Sequence, residues 1–136
     1  MIGLDTNVLV RYLTQDEPTQ ARLANRLIET TLSADRPGFV SIVVLCELVW
    51  VLESAYGCAH AEIVEILDRL LRAKPLVVER ADLAWQAKHV FAASQADFAD
   101  CVIERSGDVL GCEATVTFDR AAARDAGMRL LDSHGV

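Results

Sequence analysis

Residues 1–13, MIGLDTNVLVRYL, decide how the chain is read. Ile2 and Leu4 alternate as in a short buried strand, while Val8, Leu9 and Leu13 recur at the spacing of a helix's inward stripe. Asp5 stands at the junction. A strand feeding directly into a helix is the building unit of a parallel α/β sheet, and ligands of such sheets bind outside the carboxyl ends of the strands. Asp5 therefore falls where a site is expected. A carboxylate that has given up part of its water there requires a compensating partner.

The same alternation continues along the chain. Strand-like runs at residues 2–5, 38–41, 76–79, 114–118 and 128–131 are separated by helical patterns at 6–13, 18–32, 42–56, 61–73, 81–96 and 98–110. Pro18 marks a helix start, Gly57 and Lys74-Pro75 mark helix ends, and Gly111 and Gly127 punctuate later ends. Strands alternating with helices imply a parallel sheet covered on both faces. There is no repeat, low-complexity tract or long linker, and 136 residues fit one domain.

Composition narrows the function classes. With 52% apolar and 24% charged residues the chain is globular in type, and no apolar run approaches the ~20 residues that cross a bilayer. Asp5 interrupts the N-terminal apolar stretch before any secretory cleavage pattern, so a cytoplasmic location is expected. Cys46, Cys58, Cys101 and Cys112 lack the spacing of a zinc site or redox pair, and His60, His89 and His134 lie far apart. A net charge of −7 opposes general attraction to nucleic acid, unless carboxylates gather on divalent cations and reverse the local field. It also favours a basic partner segment.

Three further stretches place acids in unexpected company. In IVVLCELVWVL, residues 42–52, Glu47 is the only polar residue, so it is expected to be desolvated or aimed into a cavity. In QADFADCVIE, Asp97 suits a helix N-cap and Asp100 the first turn. In ATVTFDRAAARDAG, Asp119 ends a β-rich run before a helix, repeating the placement of Asp5. Each alone has a structural explanation: an ion pair or protonated acid for Glu47, caps for the others. Together, Asp5, Glu47, Asp100 and Asp119 can share one edge of a parallel sheet, where mutual repulsion calls for divalent cations. Oxygen ligands without Cys or His favour Mg²⁺ or Mn²⁺.

LDTNVLVRYL at the start, SIVVLCELVWVL around Glu47, DFADCVIE around Asp100 and TFDR around Asp119 resemble, in order and spacing, the PIN-domain nucleases, and within them the VapC-type toxins of toxin-antitoxin pairs. The resemblance spans residues 1–136. It implies a five-stranded parallel sheet flanked by helices, and carries the family's metal-binding catalytic acids onto Asp5, Glu47, Asp100 and Asp119, with Asp97 peripheral. Thr6 and Asn7 match the D-T-N start, and Thr117 a hydroxyl placed beside the metals. The implied activity is Mg²⁺- or Mn²⁺-dependent endonucleolytic hydrolysis of RNA, with Arg11, Arg120 and Arg124 as candidate phosphate contacts. Implied partners are RNA, a small DNA-binding antitoxin with a basic tail, and a second copy of the chain. The alternatives are a PIN-domain nuclease of RNA processing outside a toxin pair, and a receiver-like signalling domain. The latter wants paired acids after its first strand and a lysine after its last site strand, whereas the only lysines are Lys74 and Lys88.

Overall fold

The computed structural model describes residues 1–135, and its internal contacts divide the chain into two compact units, Met1–Ala81 and Asp82–Val136. In the first unit, β1 (Ile2–Gly3), β2 (Gly38–Val40) and β3 (Leu76–Val78) form a parallel sheet in that order. Its helices are α1 (Thr6–Thr14), α2 (Pro18–Arg26), α3 (Ile42–Ser54) and α4 (His60–Arg72). The second unit holds α6 (Phe98–Val109), α7 (Arg120–Asp125) and the parallel pair β4 (Val116–Thr117) and β5 (Arg129–Leu130); α5 (Ala81–Ala93) begins at the boundary.

The five strand-like runs are all present, and the parallel α/β class holds. The five-stranded sheet does not: the strands form a three-stranded and a two-stranded sheet. The regular ladders are only two or three residues long. Leu4 donates its N–H to Phe39, and Arg129 and Leu131 donate theirs to Thr115 and Thr117. Apolar runs fix where strands lie, but not which edges exchange hydrogen bonds.

Local chemistry explains the helix boundaries. Pro18 opens α2, where its missing N–H costs nothing, and the Glu17 carboxylate accepts from the N–H groups of Thr19 and Gln20. Ser41 Oγ accepts from Val44 N–H at 3.1 Å and so starts α3. The helix expected over 18–32 is not uniform, because a π-helical turn replaces the α pattern at Leu27–Thr31. Leu32 N–H then bonds to the Leu27 carbonyl.

The core of the first unit is built from Leu4, Leu9, Val10, Val40, Leu45, Leu48, Val49, Leu52, Ile63 and Leu67, all buried. Gly38 lies within it on β2. A Cβ there would stand 2.8 Å from Leu32 Cδ1, 2.9 Å from Leu4 Cδ1 and 3.1 Å from Leu76 Cδ2. Three packed methyl groups would have to give way together. Gly38→Ala is therefore expected to destabilise the protein by ~1–3 kcal/mol, measured by urea unfolding. Unchanged stability would show that these leucines repack freely.

Candidate active site

In the first unit the D-T-N stretch turns β1 into α1. Asp5 occupies the N-cap position with extended backbone (φ −80°, ψ 158°), yet its carboxylate makes no capping hydrogen bond. It is exposed, and so is Asn7. Thr6 is the opposite case. It is 3% exposed, and its hydroxyl donates to Glu47 Oε1 across 41 residues of sequence. The buried threonine thereby fixes the carboxylate of α3 relative to the turn that carries Asp5.

The placement of Glu47 corrects the expectation of a desolvated acid. Helix α3 buries Leu45, Leu48, Val49 and Leu52, but Val43, Glu47 and Trp50 lie outside, at 71% exposure for Val43 and 67% for Trp50. Positions 43, 47 and 50 share one helical face. Glu47 thus reaches water from an apolar surface, and its partner is a hydroxyl rather than a cation. Asp5 likewise retains its water.

In the second unit Asp97 caps α6 by accepting from Ala99 N–H at 3.3 Å, as its sequence context implied. Asp100, one turn inside, is partly buried, and its carboxyl is pushed above the usual range by burial, then by the charges of Asp97 and Asp119. Asp119 caps α7 through Oδ1, which accepts from Ala121 and Ala122 N–H at 2.8 and 3.2 Å. That geometry leaves Oδ2 out of the cap. Thr117 Oγ1 accepts from Asp119 N–H at 3.0 Å, so the threonine at the end of β4 sets the backbone from which the acid projects.

The arginines divide into engaged and exposed. Arg11 bonds to Gln20 at 2.7 Å, to Tyr56 at 3.2 Å and to Asp16 at 3.4 Å, and Arg124 makes a two-pronged contact with Asp125 at 3.1 and 2.9 Å. Arg120, next to Asp119, is exposed. One residue that the sequence reading passes over takes a position like that of Asp5. Glu79 follows β3 at the carboxyl end of the sheet, and its Oε1 accepts from Ile42 N–H at 2.9 Å. An acid closing the run LVVE was the available signal.

Among the described residues no group of three or more His, Cys, Asp or Glu side chains is gathered so as to hold a metal ion. The chemistry of the acids suits such an ion within each unit taken by itself. In the first unit Asp5 is uncommitted at a strand end and Glu47 is steadied by a hydroxyl; in the second the Asp100 carboxyl is raised in pKa by burial and then by the charges of Asp97 and Asp119, a repulsion that a divalent cation relieves. The cysteines are no rival site. None of the four is held in a disulfide, and Cys101 is fully buried with its pKa pushed up to about 11 by burial and then by the acids around it.

A VapC ribonuclease of Aquifex aeolicus (strain VF5) is 26% identical over 117 residues, which is 86% of this chain and 86% of that protein. None of the solved structures matches the chain significantly. The PIN domain matches residues 2–127, a span that contains all four motifs, and the chain belongs to the PIN-domain family.

Proposed function

We propose that this chain is a Mg²⁺- or Mn²⁺-dependent endoribonuclease acting as the toxin of a toxin-antitoxin pair, with Asp5, Glu47, Asp100 and Asp119 as its metal-binding catalytic acids. The observation that carries the proposal is the setting of Asp100, a partly buried carboxylate in the first turn of α6 whose pKa is raised by burial and then by the charges of Asp97 and Asp119. Membership of the PIN family and similarity to a VapC ribonuclease support it.

When bound, a divalent cation supplies the Lewis acidity that activates water and offsets charge on the leaving oxygen. The chain's own residues prepare that chemistry. The Thr6 hydroxyl holds the Glu47 carboxylate in one orientation, and the bond from Asp119 N–H to Thr117 does the same for the Asp119 backbone. Asp97, already committed to its cap, adds negative charge without needing to be a ligand. Arg120 is the cation available for a phosphate, since Arg11 and Arg124 have local partners. Attack by water rather than by the ribose 2′-hydroxyl yields 5′-phosphate and 3′-hydroxyl ends.

The antitoxin would present a basic or mixed apolar and basic tail to this acidic chain, so the affinity of the pair falls as salt rises. A homodimer is the proposed assembly, to be checked by light scattering. The central test is expression of the chain alone. Growth arrest is expected, relieved by Asp5→Asn, and purified protein should cleave RNA with Mn²⁺ but not with chelator. Asp5 makes no capping bond, so its substitution should leave stability within ~0.5 kcal/mol. Normal growth with the folded protein present would overturn the toxin proposal, and cleavage that survives Asp5→Asn would overturn the assignment of the acids.

A further inference from the structure

Phe118 lies between Thr117 and Asp119 and is 81% exposed, while Phe91 and Phe98 are buried and Phe39 is half-buried. A single exposed apolar side chain is ordinary on a protein surface. Phe118 differs in how firmly it is presented. On its N-terminal side the Thr117 carbonyl accepts from Leu131 N–H at 2.8 Å, and on its C-terminal side Asp119 N–H is tied to Thr117 Oγ1 at 3.0 Å. Asp119 is itself bound into the start of α7 through Ala121 and Ala122. The backbone is therefore pinned at both neighbours, while the ring between them is left in water.

We propose that Phe118 is a substrate-binding residue that stacks on an unpaired base of the RNA next to the phosphate addressed by Asp119; this rests on the ribonuclease reading above. Every base has a π-face, and aromatic side chains standing clear of the surface are the usual platform for single-stranded RNA. Successive side chains along an extended backbone project to opposite sides, so a nucleotide seated across this turn would meet the ring on its base side and the Asp119 carboxylate on its phosphate side. The exposed Arg120 follows Asp119 directly, so three consecutive residues offer a stacking ring, a carboxylate and a cation. Recognition by stacking also suits a chain of net charge −7, because it does not depend on a broad basic surface.

The experiment pairs kinetics with a binding signal. With a short single-stranded oligoribonucleotide, Phe118→Ala should raise KM roughly 10- to 100-fold and change kcat little, whereas Phe118→Trp should stay near wild type. Separately, the oligonucleotide carrying 2-aminopurine is titrated with Asp5→Asn protein, which binds without cutting. Fluorescence quenching is expected, and its loss in the Asp5→Asn, Phe118→Ala double variant supports stacking. An unchanged KM together with unchanged quenching in the Phe118→Ala proteins overturns the proposal. So does unchanged quenching combined with lost binding of a protein partner, which would make Phe118 a protein contact. Absence of cleavage by wild type would instead overturn the ribonuclease reading, and the quenching experiment would still score Phe118 on its own.

Discussion

Glu47→Gln is expected to leave the fold intact while lowering RNA cleavage roughly 100-fold or more. A buried ion pair at this position would make the same substitution cost ~3–5 kcal/mol, because a charged partner would be stranded in the core. The structure removes that basis: Glu47 is exposed, and its partner is the neutral Thr6 hydroxyl. A glutamine amide oxygen can still accept that hydrogen bond. In chelator the variant should therefore melt within ~2 °C of wild type, or slightly higher if it relieves repulsion among the acids. Added Mn²⁺ should separate the two proteins. At about 100 times its Kd, a cation that binds only the folded state stabilises by ~2.7 kcal/mol, and Glu47→Gln should forfeit most of this. Paired thermal melts with and without Mn²⁺, beside a cleavage assay, measure all three quantities. A variant strongly destabilised in chelator, beside a wild type whose melting ignores Mn²⁺, would show that Glu47 serves the scaffold.

The error over Glu47 shows what a sequence window can and cannot convey. IVVLCELVWVL is so apolar that burial on every side is the natural inference, because the pattern carries no polar stripe to mark an outer face. The helix nevertheless leaves Val43 and Trp50 in water. The resemblance put Glu47 among the acids, whereas the other ground for noticing it, desolvation, does not hold, because Glu47 is exposed. Capping chemistry was more legible, since Asp97 and Asp119 need only backbone N–H groups two or three residues ahead. Pro18 and Gly57 were legible for the same local reason, and Gly57 adopts a φ of 61° that other residues enter at a cost.

What the sequence concealed is non-local. The hydrogen bond from Thr6 to Glu47 spans 41 positions, and neither residue's neighbours signal the other. Glu79 was hidden within a strand reading although its bond to Ile42 N–H joins the end of β3 to the start of α3. Sheet partition was hidden too, because five short apolar runs are compatible with several pairings. The π-helical turn at Leu27–Thr31 has no marker such as Gly or Pro within it, so an uninterrupted helix was the local expectation.

The largest loss of stability is expected from Phe98→Ala. Phe98 is fully buried, and its ring meets Phe91 edge-on, with centroids 5.8 Å apart and planes at 88°. That contact fastens α5 to the first turn of α6. Truncation removes the ring's burial and leaves a cavity, at a cost of ~3–5 kcal/mol, and part of that loss is the edge-to-face pairing itself. The melting temperature should fall by roughly 10–20 °C, with Phe98→Leu losing much less because it refills most of the volume. A functional consequence follows from the position. Phe98 is the first residue of α6, between the capping Asp97 and Asp100. If its ring anchors that turn, Phe98→Ala should weaken Mn²⁺ binding at temperatures well below its own melting point, whereas an equally destabilising Leu67→Ala on α4 should not. Leu67 is fully buried within the first unit, whereas Phe98 belongs to the second, so it controls for instability alone. Calorimetric titration of Mn²⁺ into both variants at low temperature decides the matter. Equal affinities would reduce Phe98 to a core residue, while a selective loss in Phe98→Ala would show that the packing of α5 on α6 holds Asp100 in place.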